Sequence, residues 1–412
     1  MKINYGLFGE GIKEPSKLII NIFLLIYTIC VYIWNNDSTI HIVNNVMCVF
    51  LVVFELFYII NLKKAVIPLE FKLLLSFNLI CCASYFWADN SEVAFQMAYF
   101  TLPLLTLFSF ITFNYLYLTN QEFYMLKLLY YSGVLLAVYI IFTEPGGYFN
   151  AIISGSRTGG TVDNINRNAI LLVTTFFLNV FLYLSNKNKV YLITMPLILM
   201  TIISSISITA IAMMIAGIGL IYLLKNCRSM ISLFVHLLYI SVALVLLISI
   251  MQFDIFETLN TRLDGFFAVF TGRGQVDNSA LVRTLMWKSG FSQFLETPLL
   301  GIGINNGQEV ALRSVGYRFY LHNEYLEILV GTGLLGASFY FGILFCLLRK
   351  LYINFENGDN LAATMIAIIV ARLISYMGNV SYYDKSYYQF LLACIIFTYI
   401  SNKKRIIYNL KK

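Results

Sequence analysis

One histidine and a sorted set of arginines are the residues of this chain best suited to chemistry. His322 stands inside R-F-Y-L-H-N-E-Y-L-E-I-L-V-G-T-G-L-L-G, which follows P-L-L-G-I-G-I-N-N-G at 298–307. The glycine-punctuated part reads as loop, and from His322 and Asn323 onward the chain turns into a long apolar helix. A helix N-terminus presents free N–H groups and the positive end of the helix dipole, which favour anions. A neutral imidazole placed there can accept a proton or hold a phosphate. The residues alone leave both roles open.

The chain holds eleven arginines and seventeen lysines, and they are sorted. Arg157, Arg167, Arg262, Arg273, Arg283, Arg313 and Arg318 fall in two long connections that contain a single lysine, Lys288. Lys dominates the opposite side of the chain. Guanidinium differs from ammonium in its planar fork of donors, which suits phosphate or carboxylate held at two points. Acids match the cations in both connections, so these are individual sites and not a diffuse basic patch. Ordinary loop ion pairs are the competing use for any one of them. Two further ionisable groups lie within apolar helices, where charge is costly. Glu327 is five residues past His322, and Arg372 is about eight residues below the expected outer end of its helix, at 380. Their similar depths make a Glu327–Arg372 pair the expectation, either as part of a site or as a lock between two helices. Glu55 shows no evident partner. His236 reads as a packed residue of an apolar stretch, and His41 has no context. No G-x-x-x-x-G-K-[ST], D-x-D, H-E-x-x-H or C-x-x-C is present, so neither a nucleotide-driven pump nor a zinc hydrolase has support.

The elements that must position these residues are membrane spans. Hydrophobic residues make up 59% and charged residues 12% of 412, with a mean hydropathy of +0.77; soluble chains carry about 25% charged residues. Many apolar runs have the roughly 17–25 residues that cross a bilayer. The expected fold is an all-α polytopic membrane protein, one integral domain over 1–412, with twelve spans. They are 18–34, 42–60, 73–87, 95–116, 125–142, 168–184, 190–204, 209–224, 230–251, 324–348, 361–380 and 387–400. The first is read as a retained span, not a removed signal peptide. The cluster S-S-I-S-I-T divides the seventh from the eighth.

Lys and Arg in the short connections place both termini, including the basic tail 401–412, on the cytoplasmic side. The net charge of +7 is mostly this orientation signal and calls for no nucleic acid. The two long connections, 143–167 and 252–322, then face outward. Connections of that length are usually functional. Within the second, Ser279 to Glu296 places Leu281, Leu285, Phe291 and Leu295 among Arg283 and Lys288. That pattern predicts an amphipathic helix lying along the membrane surface. The seven cysteines fall in apolar runs or in a short basic loop and form no disulfide framework.

The H-N-E-Y-L-E-I-L-V-G-T-G-L-L-G run after P-L-L-G-I-G-I-N-N-G resembles the signature of the O-antigen polymerase and O-antigen ligase superfamily. R-T-L-M-W and the N-R-N-A opening of the sixth span fit the same pattern. The resemblance implies a GT-C-like glycosyltransferase that needs no metal and no other cofactor. Its donor would be a glycan on undecaprenyl diphosphate, and its acceptor another lipid-linked unit or, for a ligase, lipid A-core. It also implies a bacterial cytoplasmic membrane, an outward-facing site and a chain-length regulator as a possible protein partner. By motif, the essential positions carry to His322 and Arg283 as catalytic residues. Arg157 and Arg167 follow less directly, and Asn323, Arg372 and Glu327 join them as diphosphate- or substrate-binding candidates. The arginine that many members carry after the serine cluster is missing from S-S-I-S-I-T, so that region is assigned nothing. A flippase for lipid-linked glycans is the reading from another class, and it would call for paired halves and a central polar path.

Overall fold

The structure is a computed structural model that describes residues 15–34, 38–62, 65–154, 164–227, 229, 231–239, 241, 257–271 and 278–410. Arg157, Arg273 and most of the expected span 230–251 lie outside the described residues, as do Lys13, Lys63, Lys64, Arg228, Lys411 and Lys412. Among the described residues the chain is all helix, without strands.

The helices are α1 (Pro15–Ile33), α2 (Ser38–Leu62), α3 (Leu69–Ser84), α4 (Ser91–Phe95), α5 (Leu102–Leu118), α6 (Tyr124–Thr143), α7 (Pro145–Ser154), α8 (Ile165–Asn186), α9 (Val190–Ser204) and α10 (Ile208–Asn226). They continue with α11 (Glu257–Thr271), α12 (Asn278–Glu296), α13 (Gly307–Val315), α14 (Glu324–Glu356), α15 (Asn360–Ser375) and α16 (Lys385–Leu410). Eight helical stretches among the described residues are long and apolar enough to cross a membrane, and α9 and α15 are shorter apolar helices. The protein is therefore polytopic. Its surface agrees: α2 exposes Val46, Phe50, Phe54 and Phe57 while burying Asn44, Cys48 and Glu55. Soluble proteins place these residue types the other way round.

The expected division at the serine cluster is present. Ser205 ends α9, Ile206 takes a left-handed φ of 46°, and Ser207 caps α10 by accepting from the Ala210 N–H at 3.4 Å. The long connections are more ordered than loops. The first contains α7, and the second contains α11, α12 and α13, where only one helix was expected. Glu55 has a partner after all, since Thr112 Oγ1 donates to its Oε2 at 2.6 Å. His236 is half-buried between Tyr222 and Tyr239, its Nδ1 2.7 Å from Ser232 O.

Two compact units make up the chain. Unit 1 comprises Met1–Ser132, Leu285–Gly358 and Tyr376–Lys412; unit 2 comprises Gly133–Thr284 and Asp359–Ser375. In unit 1, α5 packs on α2, α3 and α16, and α14 packs on α3 and α16. In unit 2, α8 is the central helix, buried along most of its length against α9, α10 and α15. Close approach is built into that bundle. A Cβ at Gly217 on α10 would stand 2.2 Å from the Phe177 ring of α8.

Helix α14 is broken where the glycines stand. Gly333 adopts φ 62°, ψ −167°, a conformation essentially reserved for glycine. The loop 298–303 enters the break and takes over its hydrogen bonds. Ile302 N–H donates to Val330 O at 2.9 Å and Gly303 N–H to Gly331 O at 3.0 Å. On the other side of the break, Leu334 N–H donates to Pro298 O at 2.8 Å and Leu335 N–H to Leu299 O at 3.2 Å. Irregular backbone in a membrane helix survives only where its polar groups are paired in this way. The approach leaves no space for side chains: a Cβ at Gly301 would lie 2.4 Å from Val330 O, and one at Gly333 would lie 2.3 Å from Leu299 O.

Candidate functional site

The loop in the α14 break is also fastened at its far end. Ile304 N–H donates to Ser84 Oγ at 3.0 Å, and Asp89 N–H donates to Ile302 O at 3.0 Å. Asn306 Oδ1 accepts from the Asn90 N–H at 2.7 Å. Beyond it, Glu309 on α13 accepts from Asn90 Nδ2 at 2.8 Å and from Arg318 Nε at 2.9 Å. The Arg318 hydrogen bond holds the Glu309 carboxyl below its ordinary value, against a smaller upward push from burial. Arg313 bonds Asp89 at 3.3 Å and Gln293 at 3.0 Å. Arg313 and Arg318 thus serve as loop ion pairs.

The loop delivers the chain to His322 and then to α14. His322 takes a left-handed φ of 52°, and its ring stacks on Phe319 at 5.0 Å between centroids and meets Tyr320 at 4.4 Å. Asn323 is the N-cap of α14, its Oδ1 accepting from the Leu326 N–H at 3.1 Å. Its side-chain oxygen is thus committed to the helix, leaving the amide nitrogen as the group that can face a ligand. Glu327, in the first turn, is fully buried, and its Oε2 accepts from the Leu321 N–H at 2.9 Å. Gly307 makes room for this carboxylate, since a Cβ there would lie 2.6 Å from either oxygen. Glu327 therefore rests on the first turn of α13, where the helix dipole favours an anion.

Sequence reasoning missed Glu324, the first residue of α14. It is buried, with Oε2 accepting from Ser381 N–H at 2.6 Å and from Ser381 Oγ at 2.7 Å, and Oε1 accepting from Tyr340 OH. The Glu324 N–H donates to Tyr376 O at 2.8 Å. The segment after α15 is thereby tied to the helix start that follows His322. The only sequence signal was the E-Y-L-E spacing, which puts Glu324 and Glu327 on one face of the first turn.

Helix α12 carries Arg283. Its exposed side shows Leu281, Leu285, Phe291 and Leu295, the stripe expected of a helix lying in the membrane interface. Its other side buries Met286 and Gly290, and Arg283 belongs to that side, one turn before Trp287. Trp287 Nε1 donates to Leu321 O at 3.0 Å.

Unit 2 holds the other arginines of the predicted set. Arg167 lies buried in the first turn of α8, whose N-cap Asn164 accepts from the Arg167 N–H at 3.3 Å. Asn166 beside it accepts from Ser207 Oγ at 3.1 Å, so the starts of α8 and α10 meet. Arg372 lies buried on α15, which packs against both of those helices. The helix ends at Ser375, so Arg372 stands three residues from its end, not the eight expected from the sequence. Glu327 is likewise three residues from the start of α14. Arg262 falls on α11.

Residues 190–341 match a family model described as O-antigen ligase. The match supports the O-antigen polymerase and ligase superfamily. The matched region contains Arg283, Trp287, the loop in the α14 break, His322, Asn323, Glu324 and Glu327. Arg157, Arg167 and Arg372 lie outside it. No curated protein matches the chain.

Proposed function

We propose that this protein polymerises a bacterial surface polysaccharide, an O-antigen or a capsule. It transfers a glycan from undecaprenyl diphosphate to a sugar hydroxyl of another lipid-linked repeat unit. The acceptor oxygen forms a bond to the anomeric carbon while the bond from that carbon to the lipid diphosphate breaks. The acceptor's proton leaves to a base and the lipid diphosphate departs as an anion. His322 serves as the base or as a diphosphate ligand. Arg283, with Arg157 and Arg167, neutralises the departing diphosphate, a task that guanidinium groups perform without metal. Asn323 and Arg372 complete the binding set, while Glu327, the other candidate for it, holds the Leu321 N–H.

The observation that carries this reading is the His322 junction. An imidazole in a held left-handed turn stands one residue before a helix cap, within the region that matches the family. The orientation that goes with it is a twelve-span, GT-C-like chain in the cytoplasmic membrane, with both termini inside and the site outside. A chain-length regulator would be its protein partner. The description of the family supports a second reading, a ligase that transfers glycan to lipid A-core by the same chemistry.

Purified protein in nanodiscs, given lipid-diphosphate-linked repeat units with chelator and no nucleotide, tests the proposal. A ladder of longer glycans that His322→Ala and Arg283→Ala both abolish is the expected result. Transfer only when lipid A-core is added would favour the ligase. Inert protein that nevertheless moves labelled lipid across vesicles would sink both readings in favour of a flippase.

A further inference from the structure

Residue Leu321 is held more completely than its role as a loop residue requires. Its N–H is taken by Glu327 Oε2 at 2.9 Å and its carbonyl by Trp287 Nε1 at 3.0 Å. Its side chain is fully buried over Gly290, where an added Cβ would come within 3.1 Å of Leu321 Cδ1. Three different elements supply the hold: the first turn of α14, the middle of α12, and the start of α13, whose Gly307 admits the Glu327 carboxylate. The next residue is His322, in a left-handed backbone that a non-glycine residue keeps only when its surroundings enforce it.

We propose that Trp287 and Glu327 are positioning residues that clamp the Leu321 peptide from both sides and so set the direction in which the His322 imidazole leaves the backbone. The inference rests on the reading of His322 as a working group of the glycosyl transfer. Neither residue is assigned a contact with substrate; both act through the Leu321 backbone, Glu327 at its N–H and Trp287 at its carbonyl. The Trp287 hydrogen bond joins the middle of α12 to the residue before the histidine. A backbone error of about 1 Å at a reacting group costs on the order of a hundredfold in rate.

Three variants test the clamp in the nanodisc assay. Trp287→Phe keeps the ring and removes the donor; Glu327→Leu removes the acceptor; Glu327→Gln keeps an oxygen for the Leu321 N–H. The expected result is a kcat reduced roughly tenfold to a hundredfold in Trp287→Phe and Glu327→Leu. KM for the lipid-linked unit and the melting temperature should hold, and Glu327→Gln should retain most of the rate. A second readout needs no activity. The chain has three histidines, so ring-labelled histidine gives three NMR signals, and the one that His322→Ala deletes is assigned. That signal should shift or broaden in Trp287→Phe and Glu327→Leu and stay in place in Glu327→Gln. The clamp is overturned by an unmoved His322 signal, by a wild-type kcat in Trp287→Phe, or by equal damage from Glu327→Gln and Glu327→Leu. If wild-type protein transfers no glycan, the functional reading fails, while the His322 signal still decides the clamp.

Discussion

Replacing Gly333 by alanine should expel the loop from α14. The Gly333 backbone, at φ 62° and ψ −167°, is one that alanine does not adopt without strain of about 1–3 kcal/mol. The new methyl would also stand 2.3 Å from the backbone carbonyl of Leu299, which has no flexible end to yield. The helix can relieve both by closing into regular geometry, and then the four hydrogen bonds to Pro298, Leu299, Ile302 and Gly303 are lost. At about 1 kcal/mol net each, these bonds come to roughly 4 kcal/mol, close to the low end of an ordinary domain's whole stability. The assay is amide hydrogen exchange at Ile302 and Gly303 in detergent, with glycan transfer measured alongside. Protection of both amides should collapse, and activity should fall with it, because the same loop leads to His322. Gly358→Ala is the control: its φ of 92° is also left-handed, but nothing lies within 4 Å of an added Cβ. It should cost only about 1 kcal/mol and leave the exchange at Ile302 unchanged. Wild-type protection of Ile302 and Gly303 in Gly333→Ala would refute the account of the break.

Asn323→Asp preserves the oxygen that caps α14 but places a negative charge where the amide nitrogen was. If Asn323 meets the diphosphate, this variant melts like wild type and loses activity, whereas Asn323→Ala loses about 1 kcal/mol of stability as well; full activity in Asn323→Asp would confine the residue to capping. The Glu309–Arg318 contact should be acid-labile. The folded carboxyl value is depressed, so the contribution is complete above the unfolded value of about 4.3 and disappears as pH falls through the lower folded value. Limited proteolysis across 305–320 should therefore accelerate in that acid window, and Arg318→Ala should show the same acceleration at pH 7. Lys350 Nζ lies 2.7 Å from Oε1 of Glu70, whose side chain is only 2% exposed. Lys350→Ala strands that carboxylate and should cost roughly 3–5 kcal/mol in a denaturation experiment, most of it recovered when Glu70→Leu is added.

The membrane class, the division of the seventh and eighth spans at the serine cluster, the α12 amphipathic stripe and the loop-to-helix junction at His322 were all legible in the sequence. Each depends on hydropathy, period or backbone preference within a few residues. Local information also explains the errors. The C-terminal end of α15 was placed five residues too late because the chain stays apolar past Ser375, and hydropathy does not register where hydrogen bonding stops. The connection 252–322 was read as containing one helix because α13 has only nine residues and the sequence of α11 is interrupted by Gly265, which disfavours helix.

The tertiary structure alone assigned the partners. It committed Arg313 and Arg318 to Asp89, Gln293 and Glu309, although their residue type matched that of Arg283. It gave Glu324 to Ser381 and Tyr340, and Leu321 to Trp287 and Glu327, across separations of 57, 16, 34 and 6 residues. It brought G-I-G, read as loop, and G-T-G, read as helix, together in one joint. Composition fixes the solvent each segment can enter, and periodicity fixes its local form. Which buried donor meets which acceptor follows from packing, because a polar group removed from water must be satisfied by whatever the fold brings within 3 Å or so.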